Sequence, residues 1–106
     1  MRTLFIDIDG SICRTNGTDY EGSQPIPEAI IKINKAYDSG NTIVYWTSRG
    51  ALKSGQAKDD IHILTRQQLN MWGCYYHELR FDKPLFDLLI DDKAQNASIL
   101  TDRTII

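Results

Sequence analysis

Cysteine is scarce: Cys13 and Cys74 are the only two, too few and too far apart for a disulfide framework or a tetrahedral zinc site. Histidine is no richer, and His62 and His77 stand at no ligand spacing, so both read as surface or packing residues. Long apolar runs are missing, and none approaches the roughly 20 residues that cross a bilayer. The chain enters an apolar strand pattern at once, without the basic segment, apolar stretch and small-residue cleavage site of a secretory leader. A surplus of one charge is absent as well. Twelve Lys and Arg face 14 Asp and Glu for a formal net charge of -2, and the basic residues are scattered rather than gathered into a stripe. Together these absences predict a water-soluble protein of the reducing cytoplasm with no membrane partner, and they speak against a general nucleic-acid binder.

The 106 residues suffice for one layered core but not for a core plus a separate substrate-capping domain. A single domain over 1–106 is therefore expected to hold any site whole.

Thr3 to Ile8 is short and mostly apolar and runs into acidic residues and Gly10, the pattern of a buried strand that stops at a loop. Residues 11–24 hold Asn16, Gly17, Asp19 and Gly22 without helical periodicity, which predicts an irregular or hairpin-like flap. Pro27 suits the first turn of a helix that carries Ile30, Ile33, Ala36 and Tyr37 at helical spacing and ends at Gly40. Asn41 to Trp46 is β-branched and aromatic, a second strand that ends in Thr47-Ser48-Arg49-Gly50. A polar loop over 51–60 precedes a helix marked by Ile61, Leu64, Gln68, Leu69 and Trp72 and stopped by Gly73. Tyr75 to Leu79 reads as a third strand and Phe86 to Ile90 as a fourth, ending in Asp91-Asp92. The tail from Ala94 reads as a helical turn and a last strand at 103–106.

Strands alternating with helices predict an α/β fold: a three-layer, Rossmann-like parallel sheet with helices on both faces and no cap domain. In such sheets ligands bind beyond the carboxyl ends of the strands. Three strands then deliver Asp7 and Asp9, Thr47 and Arg49, and Asp91 and Asp92 to one crevice. Four carboxylates at one sheet edge repel one another, and a hard divalent cation on oxygen ligands relieves that repulsion. Mg²⁺ suits the role because it takes few protein ligands and bridges carboxylate and phosphate oxygens. Residues two apart in an extended chain point the same way. Asp7 can thus attack phosphorus while Asp9 protonates the leaving oxygen and then activates water. Gly10 allows a sharp turn beside the substrate. Thr47 and the backbone donor of Ser48 can hold phosphoryl oxygens, with Lys83 neutralising charge on the same group.

In these residues the chain resembles the haloacid dehalogenase superfamily of phosphohydrolases. Asp7-Ile8-Asp9-Gly10-Ser11 looks like its first motif, strand-ending Thr47 its second, Lys83 its third and Asp91-Asp92 its acidic fourth. The resemblance implies that Asp7 is nucleophile and Mg²⁺ ligand, that Asp9 is acid/base with its carbonyl on the metal, and that Asp91 and Asp92 complete the metal site, Asp92 more directly. Ser11 stands where the superfamily more often has Thr, and both offer a hydroxyl. Further stretches, among them Tyr45 to Gly50 and Leu88 to Ala94, look like small phosphatases of capsular or surface polysaccharide biosynthesis, and this likeness covers nearly the whole chain.

The substrate implied is a sugar phosphate or a related small metabolite. Gly10, Ser11, Ser48, Arg49 and Lys53 are the candidate substrate contacts, with Arg49 and Lys53 as anion contacts. A capless site in this superfamily goes with a large substrate or with a neighbouring subunit as lid, so a homo-oligomer is expected. Two other readings stand beside this one: a polynucleotide end phosphatase, against which the near-neutral charge speaks, and a catalytically weak Mg²⁺-binding regulatory subunit, against which the retained motif residues speak.

Overall fold

The computed structural model describes residues 1–101. The strand expected at 103–106 lies outside the described residues. In chain order the elements are β1 (Thr3–Ile6), β2 (Cys13–Arg14), a 3₁₀ turn (Tyr20–Gly22), β3 (Gln24–Pro25), α1 (Pro27–Asp38), β4 (Thr42–Trp46), α2 (Gly55–Met71), β5 (Glu78–Arg80) and a second 3₁₀ turn (Ala97–Leu100). Among the described residues these make a small α/β fold with two α-helices and a parallel three-stranded sheet in the order β1-β4-β5.

Parallel pairing sets Leu4 beside Ile43 and Ile6 beside Tyr45, and further along β4 sets Trp46 beside Arg80. The period-2 alternation of a strand sends Ile43 and Tyr45 to one face. There they join Ala29, Ile30 and Ile33 of α1 and Leu69 of α2 in one buried cluster, with Ile8, Ile12 and Cys13 closing it near the loop end. Phe5 and Trp46 meet edge to face, ring centroids 5.6 Å apart, with Phe5 half exposed. Pro27 opens α1 at a position where a missing N–H costs nothing, and Gly40, at φ 96°, supplies the left-handed turn that ends it.

The flap is hairpin-like in the sense expected: β2 and β3 pair antiparallel, Cys13 with Pro25 and Arg14 with Gln24. Four expected elements differ, the first strand only by ending at Ile6 rather than Ile8. The loop expected over 51–60 gives way to helix from Gly55 onward, with Gln56 donating to Asp60 across one turn at 2.7 Å. Its first turns are polar because they face water, and composition alone cannot separate a solvated helical turn from a loop. The fourth strand expected at 86–90 does not form. The chain bends at Asp87, and Leu88 and Ile90 are 74% and 86% exposed. An apolar run shows no pairing partner by itself, and this one carries a single β-branched residue where β4 carries three. The third strand forms slightly later than expected, at Glu78–Arg80.

Candidate active site

Parallel strands deliver their carboxyl ends to the same edge, so Asp7 leaves β1 beside the point where Thr47 leaves β4. The loop after β5 is stitched to that point by backbone bonds. Thr47 N donates to Arg80 O at 2.9 Å, and Lys83 N donates to Thr47 O at 3.3 Å. Ser48 Oγ donates to Lys83 O at 3.0 Å. This stitching brings Lys83 Nζ to 3.2 Å from Asp7 Oδ1. Asp7, Asp9, Thr47, Ser48, Arg49 and Lys83 line a cleft of about 240 Å³, joined at its rim by Tyr20 of the flap and by Pro84, Leu85 and Phe86.

The two aspartates lie in opposite electrostatic settings. Burial pushes the Asp7 carboxyl above its ordinary value, and the attraction and hydrogen bond of Lys83 offset only part of that push. Burial works in the same direction on Asp9, but hydrogen bonds from Arg49 and Thr15, with the Arg49 charge, outweigh it and hold the carboxyl below the usual range. Arg49 Nε donates to Asp9 Oδ2 at 2.9 Å and Nη2 to Oδ1 at 2.8 Å, a two-pronged grip, while Thr15 Oγ1 donates to Oδ1 at 2.5 Å.

Asp7, Asp9, Thr47, Ser48 and Lys83 are thus brought together. Arg49 is also at the cleft but 1% exposed, and it grips Asp9 instead of standing open as an anion contact. Lys53 is exposed in the 51–54 loop and does not line the cleft. Gly10, at φ 84°, makes the turn after Asp9, and Ser11 is buried with its N–H on Ile8 O at 3.1 Å; neither lines the cleft. Asp91 and Asp92 are the largest departure. With no fourth strand to carry them to the sheet edge, they lie exposed, Asp91 Oδ1 accepting from Lys93 N at 2.9 Å in a local turn, outside the cleft lining.

Asp7 offers a carboxylate at the cleft, and with both Asp9 side-chain oxygens gripped by Arg49 the share left to Asp9 is its backbone carbonyl; such a pair fits the sparse protein donor set of Mg²⁺, which is completed by water and phosphate oxygens. Among the described residues no group of three or more His, Cys, Asp or Glu forms a fuller metal cage. Sequence reasoning missed Thr15, Tyr20 and Ser23, which no spacing marks. Gln68 did carry a signal, as a polar residue on the apolar face of α2. Buried at 5% exposure, it accepts from Arg49 Nη1 at 2.6 Å.

Fold and site together define a small α/β protein with two aspartates, a lysine and a buried arginine at the carboxyl edge of a parallel sheet. The chain is similar to a structural-genomics target from Vibrio cholerae whose crystal structure superposes with a TM-score of 0.82 at 25% identity, over 98% of this chain and 90% of that one. No protein-family model matches the sequence, and no curated protein is matched by it. Among the described residues no helix is long and apolar enough to cross a membrane.

Proposed function

We propose that this chain is an Mg²⁺-dependent phosphate monoester hydrolase of the haloacid dehalogenase type, acting through an aspartyl-phosphate on a sugar phosphate or a related small metabolite of polysaccharide biosynthesis. The observation that carries the reading is the meeting of Asp7, Asp9, Thr47 and Lys83, from three separate segments, in one cleft at the sheet edge. The same reading takes the three strands as the centre of a three-layer, Rossmann-like arrangement, and assigns the lid to a second copy of the chain over the exposed Leu85 and Phe86.

An Asp7 oxygen attacks phosphorus, the bond from phosphorus to the leaving oxygen breaks, and Asp9, which first takes up a proton from solvent against the grip of Arg49, passes that proton to the leaving oxygen. Water then attacks the aspartyl-phosphate, Asp9 takes the water proton, and inorganic phosphate leaves with the Asp7 carboxylate restored. The grip of Arg49 favours the ionised Asp9 that this second step needs. Lys83 and the Thr47-Ser48 turn hold the phosphoryl oxygens as charge moves onto the leaving group. Mg²⁺, when bound by Asp7 and Asp9, neutralises negative charge between carboxylate and phosphate.

Purified protein is expected to hydrolyse an aryl phosphate with Mg²⁺, to stop when the metal is chelated and to resume when Mg²⁺ is restored. Asp7→Asn is expected to abolish turnover while keeping the fold. Undiminished hydrolysis by that variant would sink the mechanism.

A further inference from the structure

A guanidinium carries five N–H donors in a planar fork, and in Arg49 all five are engaged. Nε and one Nη2 donor hold the two oxygens of Asp9. The second Nη2 donor reaches Ser23 Oγ at 3.2 Å. The two Nη1 donors reach Thr65 Oγ1 at 3.1 Å and Gln68 Oε1 at 2.6 Å. The Tyr20 ring lies 4.6 Å from the guanidinium carbon, covering the group further. No donor remains for a substrate anion.

These partners come from separate parts of the chain: the turn after β1, the flap and α2. Two more contacts brace the same assembly. Gln68 Nε2 donates to Tyr20 O at 2.6 Å, and Thr15 Oγ1, already on Asp9, meets Ser23 Oγ at 2.7 Å. A buried charge is stable only when paired and fully hydrogen-bonded, and here that demand is met by one arrangement of all three parts. Resting on the phosphatase reading above, we infer that Arg49 is a positioning residue: it sets the direction of the Asp9 carboxylate and pins the flap, with Tyr20, against the cleft. It acts through Asp9 and does not bind the phosphoryl group. Lysine cannot substitute, because a point charge with three donors cannot span Asp9, Ser23 and α2 together.

The test compares wild type with Arg49→Lys and with Thr65→Val, a near-isosteric change in α2 that removes one Nη1 partner and spares the buried charge. With an aryl phosphate and Mg²⁺, Arg49→Lys is expected to lower kcat by about 100-fold, the scale of a misplaced catalytic group, while KM moves less than about 3-fold. Thr65→Val is expected to lower kcat several-fold with the same unmoved KM. Calorimetry with inorganic phosphate should show Arg49→Lys binding as tightly as wild type, and trypsin should cut the loosened flap after Arg14 in that variant before it cuts wild type. A raised KM with intact kcat, or phosphate affinity lowered 10-fold or more, would make Arg49 a substrate contact and overturn the inference. Unchanged kcat in both variants, or equal trypsin resistance, would overturn it too. If wild type hydrolyses no phosphate ester, the phosphatase reading fails, while trypsin still decides whether Arg49 pins the flap.

Discussion

Lys83 Nζ stands 3.2 Å from Asp7 Oδ1 and ties the loop after β5 to the end of β1. The Lys83 side chain is 15% exposed and that of Asp7 36%, so the pair sits at the cleft wall, only partly screened by water. Pro84 follows it, and Phe86 lies 5.4 Å from the same ammonium, so the lysine has both an anion and a ring face to hold its direction.

Removing that ammonium should expose its role. Lys83→Met keeps most of the side-chain volume and deletes the charge paired with Asp7, the charge that on the proposed phosphatase reading also steadies the phosphoryl oxygens. Turnover of an aryl phosphate should fall by about 100- to 1,000-fold, the cost of losing one electrostatic contact to a transition state. Circular dichroism should remain that of wild type. A loss smaller than 3-fold would remove Lys83 from the site.

The two aspartates should respond to pH with opposite signs in metal-free buffer. The folded state raises the Asp7 pKa, so it binds that proton more tightly than the unfolded chain does. Its contribution is fully present below the ordinary value of 3.8 and is lost as pH rises through the raised value. Charged Asp7 is therefore a cost at neutral pH, and Asp7→Asn should leave Tm at pH 7 unchanged or higher. Asp9 is the reverse: with its pKa lowered, its contribution is present above 3.8 and is lost as pH falls through the lowered value. Asp9→Asn should lower Tm at neutral pH, costing on the order of 3 kcal/mol because the buried Arg49 loses its counter-charge. Thermal melts of the two variants from pH 3 to pH 7 (roughly the carboxylate range) check both signs.

Neighbouring positions of α1 should separate core from surface. Ile33 is fully buried in the cluster with Ile43 and Tyr45, whereas Ile31 is 54% exposed. Ile33→Ala should cost about 2–5 kcal/mol in urea unfolding, and Ile31→Ala less than about 0.5 kcal/mol. Equal losses at both positions would contradict the placement of the helix on the sheet.

How much of this was legible varies by residue. The strand over 42–46 and the helix from Pro27 could be read because β-branching, proline placement and apolar spacing act within a few residues of one another. The start of α2 could not, since Gly55 to Asp60 is polar whether it coils or loops. The place of Arg49 after Thr47 suggests an anion contact, but an arginine there suits an open anion site and a buried clamp equally well. Its 1% exposure arises from Ser23, Thr65 and Gln68, which lie far from it in sequence.

Local preference alone places Asp7 and Thr47 just past strand ends, with Asp9 two residues further into the turn, because a residue that follows an apolar strand into a turn is positioned by its near neighbours. The sequence also marks Lys83 as a residue to watch. Which groups meet follows from the folded arrangement: Lys83 with Asp7, Arg49 with Asp9, and Asp91 and Asp92 in an exposed turn outside the cleft. Those outcomes depend on how charges and donors are satisfied once water is excluded, and that depends on segments far apart in the chain arriving together.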